Sequence, residues 1–564
     1  MRGGLGHLPP RIDSARAGVV GVRHHVVYRT NMRSFPRCDP AVRPRRFDDW
    51  LGFPSVQIIG VAFLLLLKPA LAQVNHVEAA ARLMSDGQLA AAETEARLAL
   101  KSPSTRALAL AVLGTIRLQQ SKFPESENLL NQALALNPGL IGARTTLGEV
   151  LVLEGKPDQA RRAFQEVLER APESFNARLD LAKLESSVHN FQKSLQVANP
   201  IIAQLTHSEE GLLLLATDYG AMGKRTELEA LPQKWQSLPA PSASESIAFA
   251  GLLAMHGAPE KAKDILAGAE TRLPVRPSGE VVLELGQAYL SLGELDRAEK
   301  NSLLALSTDP NCTACYVTLA NIAERQGITE KALSYLVQAK RQTPDNPEVL
   351  FEFGRVCLLR NLLDDAVPAL EKAVELEPDR DQYVYVLASA NVGKRNLPKA
   401  ATLVSGLLRK HPQDAILNYA MGAVYYLEAN YSEAEAFLKK SLAIQPDQVA
   451  ACYYLALTYD ALSEDEKAVG LLRDLTRKHQ DHAPSLLELG TILSREGQYA
   501  EAEHELKRAV SLEPDSAGAH YSLGVVLRRL GKTDEAEQEF AQSRKAHDEQ
   551  ESQSHLHLRL LLPE

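Results

Sequence analysis

Cysteine is scarce in this chain: five residues in 564, too few to staple a fold of this length as a disulfide framework. Aromatic side chains make up only 5% of the sequence. Long hydrophobic runs are missing too. The apolar stretch Ile58–Leu67 is ten residues, which as a helix reaches roughly 15 Å, about half of a bilayer's hydrocarbon core. Basic charge is confined to one end. Residues 1–72 hold ten Arg, one Lys and four Asp, a charge of +7, which leaves −16 on residues 73–564 of the net −9. An acidic body argues against nucleic acid as a partner, because phosphate binding needs a basic face. Nucleophile motifs, glycine-rich phosphate loops and paired carboxylates are absent outside the repeat described below. No catalytic residue, cofactor or metal is therefore expected.

The first 72 residues read as an address. Arg43, Arg45 and Arg46 precede the Ile58–Leu67 run, and Ala70-Leu71-Ala72 follows it. That is the order of a secretory signal peptide, with cleavage after Ala72. An uncleaved membrane anchor at 58–72 is the alternative, although Lys68 and Pro69 interrupt the run. Arg45-Arg46 is followed by Phe47, Asp48 and Asp49, a poor match to a twin-arginine signal. Residues 1–57 read as a disordered or wrongly started extension plus the signal's basic region, with Met32 or Val42 as plausible starts. The expected location is the periplasm or cell envelope.

Everything after that follows one period. Ala298, Ala332, Ala366, Ala400, Ala434, Ala468, Ala502 and Ala536 fall 34 residues apart. Twelve residues before them stand small residues: Gly286, Ala320, Gly354, Ala388, Gly422, Ala456, Gly490 and Gly524. Each of those follows a large apolar residue, from Leu285 to Leu523. Twelve residues after the alanines come Pro310, Pro344, Pro378, Pro412, Pro446 and Pro514, with Gln480 the exception. Within one unit the apolar spacing is helical up to Leu292, Gly293 allows a turn, and a second amphipathic helix runs to about Leu306. One such pair cannot bury its apolar face alone, so neighbours must stack.

This pattern resembles the tetratricopeptide repeat family, whose 34-residue helix–turn–helix carries large, small, small and Pro residues at these places. The resemblance is specific over residues 277–548. Upstream, Gly148, Ala160 and Pro172 fit the frame, as do Gly114, Ala133 and Pro138, and the first unit begins at Gln73. Between 173 and 276 the frame is degenerate; Gly223 and Gly257 mark turns, while "LPAPSAS" and "RLPVRPSG" read as irregular linkers. The span 73–548 is fourteen periods long. The fold expected is all-α, a right-handed superhelical solenoid of about fourteen helix–turn–helix repeats, with 549–564 extending the last helix as a cap.

Cys312 and Cys315 have the spacing of redox pairs, metal knuckles and haem attachment sites. Haem attachment needs a histidine after the second cysteine, and this chain has Tyr316. A metal site lacks two further ligands, and a redox enzyme needs a cleft. The pair sits where a repeat begins, which favours a structural place, with a local disulfide as the alternative in an exported chain. Cys357 and Cys452 read as core residues, and His479 and His482 as solvated loop residues.

Nine of the sixteen tyrosines lie between 383 and 459. In the family the first helices line a concave face that usually holds a peptide or partner helix. The resemblance and the period together place Tyr385, Tyr419, Tyr426 and Tyr453 on that face, with Asn321 and Arg355 beside them, and put Tyr425 and Tyr459 inside. Tyrosine suits such a surface because it offers apolar area, a polar tip and little rotamer entropy to lose. The subfamily that clamps a terminal carboxylate is not matched, since Val317, Phe351, Tyr385 and Tyr419 stand where it has Lys and Asn. The resemblance implies a non-enzymatic scaffold that binds a protein or peptide partner. The rival reading is an accessory subunit of an envelope polysaccharide synthesis or export machine.

Overall fold

The computed structural model describes residues 76–560, with side chains through His547. The proposed signal segment and the cleavage point before Gln73 lie outside the described residues. All described elements are helices, arranged as fourteen antiparallel pairs running from His76–Ser85 and Leu89–Ala99 to Ala517–Arg529 and Thr533–Leu560. The helical solenoid expected from the period is what forms. The described residues fall into two compact units, one up to Thr318 and one from Leu319.

The 34-residue period is a packing rule. All eight alanines from Ala298 to Ala536 are fully buried. Opposite them, the small residues let the two helices of a pair touch. A β-carbon added at Gly422 would lie 2.7 Å from Leu438 Cγ, and one at Gly354 would lie 2.6 Å from Leu370 Cγ. Any larger residue would push the helices apart. The turn between the helices has its own rule. All fourteen pairs place a residue of positive φ there: eight are glycines, such as Gly293 and Gly327, and six are not, from Ser121 to Ser463. Left-handed backbone is what ends the first helix, and glycine adopts it without strain.

Two expectations need correcting. Ala133 and Ser126 are both buried, but the slot twelve residues after Gly114 holds Ser126, not Ala133. Its hydroxyl donates to the Gly114 carbonyl oxygen at 2.7 Å, so a serine serves where other repeats have alanine. The stretch 173–276 also keeps its frame. Helix pairs Phe175–Ser187 with Phe191–Leu205, Glu209–Ala221 with Arg225–Gln236, and Ala243–Met255 with Pro259–Thr271 are all present. Ala182, Ala216 and Ala250 continue the small-residue series at the same interval and are buried. Only the linker before Gly279 shifts the count, by two residues.

The middle looks degenerate because polar and aromatic groups replace the usual apolar ones. Ser194 stands in the alanine slot, and with Ser186 it donates to the buried Asp218 carboxylate, at 2.5 and 2.6 Å. Burial nevertheless raises the Asp218 pKa. Trp235 stacks on Phe249 with ring centroids 4.2 Å apart and donates its indole N–H to Ser246. Pro200 breaks the second helix of the fourth pair into Phe191–Ala198, a 3-10 turn and Ile202–Leu205, because it has no N–H to give.

Candidate functional site

A side chain that reaches a partner must come from a helix face its neighbours leave open. The position directly after each small residue meets that condition in many repeats. In the unit up to Thr318 it holds Thr115, Glu149, Lys183, Thr217 and Gln287, all half-buried. In the unit from Leu319 it holds Asn321, Arg355 and Ser389, also half-buried, and then the buried Ala423 and Leu457.

In the first unit this series carries a charged cluster that the sequence pattern did not single out. Lys183 donates to Glu210 across neighbouring repeats, and Glu149 and Asp180 feel both charges. Burial pushes the Glu149 carboxyl up to about 8, with Asp180 adding to the rise and Lys183 opposing it. Burial likewise lifts Asp180 to about 6, against the pull of Lys183. Burial works against the Lys183 ammonium, but Glu210 and Asp180 hold it above the usual lysine range. The signal in the sequence is positional: Glu149 and Lys183 directly follow Gly148 and Ala182, as Asn321 and Arg355 follow Ala320 and Gly354.

A stability profile should expose this cluster. A carboxyl raised from 4.5 to about 8 keeps its proton in the folded state where the unfolded chain has lost it. Its contribution is complete below pH 4.5 and is lost as pH climbs through 8. Glu149→Gln, neutral throughout, should flatten that slope and stabilise the chain at pH 8.5 by about 1–2 kcal/mol, a figure reduced for the solvent that reaches a half-buried group. Chemical denaturation at pH 5.5 and 8.5 measures it. An unchanged slope would mean Glu149 is solvated like any surface carboxylate.

In the second unit Arg355 is committed to its own fold. Its guanidinium donates to Glu324 Oε1 at 2.8 Å and to Glu352 Oε2 at 2.7 Å. Burial works against its charge, but Glu352 and Glu324 hold its pKa above the ordinary range. Asn321 sits one repeat earlier in the same slot.

The tyrosines are placed otherwise than expected. Tyr385, Tyr419 and Tyr453 are buried, at 5%, 0% and 3% exposure, and Tyr426 is half-buried. The reason is the stacking itself: the first helix of the next repeat covers the position. Tyr419 meets Tyr454 edge-on at 5.7 Å, Tyr453 meets His482 at 5.5 Å, and Phe351 at the same slot stacks on Tyr383 at 4.5 Å. Tyr521 holds that slot in Ala517–Arg529, over which no further first helix stacks among the described residues, and is 55% exposed. The groove-facing reading of Tyr385, Tyr419 and Tyr453 is therefore corrected to a packing one. Tyr459 is buried and Tyr425 packs against a core cluster, as the period implied.

His482, read as a solvated loop residue, is half-buried beside Tyr453 and shares a 2.6 Å hydrogen bond with Ser485; burial lowers its pKa to about 4. Cys357 is buried and Cys452 half-buried, and burial raises both thiol pKa values. An open cleft of about 490 Å³ lies between Asp465–Lys478 and Tyr499–Leu512. Its arginines are taken: Arg473 pairs with Glu501, Arg477 with Asp474 and Arg508 with Glu505.

Fourteen helix pairs sharing one seam, one turn and one small-residue register point to a single repeat family. Models described as tetratricopeptide repeat match residues 127–174, 151–217, 280–312, 317–383, 385–449, 425–489 and 487–550, together well over half of the chain. The chain belongs to the tetratricopeptide repeat family. These matches leave a gap between 218 and 279, the stretch that holds Asp218 and the Trp235–Phe249 stack. The chain is 23% identical over 293 residues to protein O-mannosyl-transferase TMTC3 of Homo sapiens, covering 42% of this chain and 32% of that one. It is 27% identical over 205 residues to the BBSome complex member BBS4 homolog of Drosophila melanogaster, covering 36% of this chain and 42% of that one. It thus spans less than half the length of these relatives. Among solved structures it is similar to the APC/C hetero-tetramer Cut9-Hcn1, at 13% identity and a TM-score of 0.39, covering 78% of this chain and 94% of that one.

Proposed function

We propose that the chain is an exported scaffold that docks a protein or peptide partner along the faces of its first helices. The observation that carries this reading is the row of half-buried polar residues after the small position in the unit from Leu319, Asn321, Arg355 and Ser389, which recurs every 34 residues on stacked repeats. A peptide lying along such a series would meet one side chain per repeat, and many weak contacts would sum into one binding event. The basic, apolar, small-residue order before Gln73 supports export to the periplasm or cell envelope. A second reading, an accessory subunit of an envelope polysaccharide machine, draws on the similarity to an O-mannosyl-transferase.

Site-specific photocross-linking tests the reading. A benzophenone side chain at Asn321 or Ser389 should capture a defined polypeptide in the cell, whereas one at the exposed Lys440, on a second helix, should not. The captured scaffold should come from the envelope fraction and begin at Gln73. Capture of a glycosyltransferase or export subunit would favour the second reading. Equal labelling from Lys440 would overturn the choice of face.

A further inference from the structure

Position 312 has a defined job in this repeat. It is the residue before the first helix, and in six repeats its side-chain oxygen caps that helix: Ser174, Ser208, Ser242, Asn346, Asp414 and Ser516 each accept the amide N–H of the residue three places on. Cys312 takes the same place with sulfur. Its Sγ accepts the Cys315 amide at 3.1 Å, ahead of the helix Thr313–Arg325. It is also bonded to Cys315 as a disulfide, with α-carbons 5.3 Å apart.

The two sulfurs differ in access. Cys315 is 1% exposed and lies in a core cluster with Val282 and Ala305, while Cys312 packs on the outside of that cluster and is half-buried. A thiol arriving from solvent therefore meets Cys312. Once reduced, that sulfur stands where an aligned amide and the positive end of a helix dipole favour a thiolate. Cys315, behind it, can close the bond again.

We propose that Cys312–Cys315 is an exchangeable disulfide whose Cys312 sulfur forms the mixed disulfide with an external dithiol. A thiolate of the dithiol attacks Cys312 Sγ, the bond to Cys315 breaks, and Cys315 leaves as a thiolate that takes a proton from water. The second thiolate of the dithiol then attacks its own mixed-disulfide sulfur and releases Cys312. Two electrons pass to the pair, and the dithiol leaves as a disulfide. Exchange with a small thiol or a flexible partner loop needs no cleft, only the access Cys312 has.

The full chain tests this directly. After brief dithiothreitol treatment under native conditions, iodoacetamide should label Cys312 about tenfold or more faster than Cys357 or Cys452, read by peptide mass spectrometry. Oxidised glutathione added to Cys315→Ser should be trapped on Cys312, and added to Cys312→Ser should leave Cys315 largely free. Circular dichroism of both variants confirms folding, and the labelling of the unsubstituted chain stands by itself if either fails to fold. Labelling of Cys315 ahead of Cys312 would overturn the assignment. Reduction only in denaturant would overturn exchange and leave the bond a helix cap.

Discussion

Tyr419→Ala with Tyr453→Ala is expected to unfold part of the array well below the melting temperature of the parent chain. Both rings are buried, and both border Tyr454: Tyr419 edge-on at 5.7 Å, Tyr453 edge-on at 6.0 Å. Removing a buried aromatic ring costs about 3–5 kcal/mol, since transfer free energy is lost and a cavity remains. The two cavities would share a wall at Tyr454, so the losses should not simply add. Hydrogen exchange should rise first in Ala415–Leu427 and Val449–Ala461. If instead the melting temperature held and only partner capture fell, these side chains would be binding residues and the packing assignment would fail.

Ala434→Trp is the second substitution with a large expected effect. Ala434 is fully buried, in the tight seam between Ala415–Leu427 and Tyr431–Ile444. No rotamer of Trp fits there without separating the helices. Overpacking usually costs about 1–3 kcal/mol, and an indole in place of a methyl group lies at the upper end or beyond. The core cluster that holds Ala434 and Leu438 also holds Tyr454, Leu472 and Leu489, so the damage should pass into the following repeats. Exchange across 413–480 should increase together. A rise confined to 431–444 would mean that the repeats are less coupled than their shared core implies.

The interval of 34 was enough to name the helices, because it records one steric event repeated along the chain: two helices meeting where neither can carry a large side chain. That event depends on local residues, and sequence reports it directly. Ser126 shows the limit. Its small side chain fits the seam as alanine does, with the hydroxyl bonded to the Gly114 carbonyl oxygen, but a pattern of alanines alone does not contain it. The stretch 173–276 shows the same limit on a larger scale. Asp218 with Ser186 and Ser194, and Trp235 on Phe249, fill the frame with partners 11 to 32 residues apart. No single repeat spells out such a pairing.

The class of fold and the pairing of the helices follow from the amino-acid sequence alone, because each rests on spacing within about one period. Which slots are open depends instead on how the repeats stack. Tyr385, Tyr419, Tyr453 and Tyr521 occupy one position in the period, and the first three are buried while the last is exposed. The difference lies outside their own repeats, in whether another first helix stacks over the ring. Burial in a stacked array belongs to the neighbour as much as to the residue, and a periodic pattern cannot tell an inner repeat from the last one.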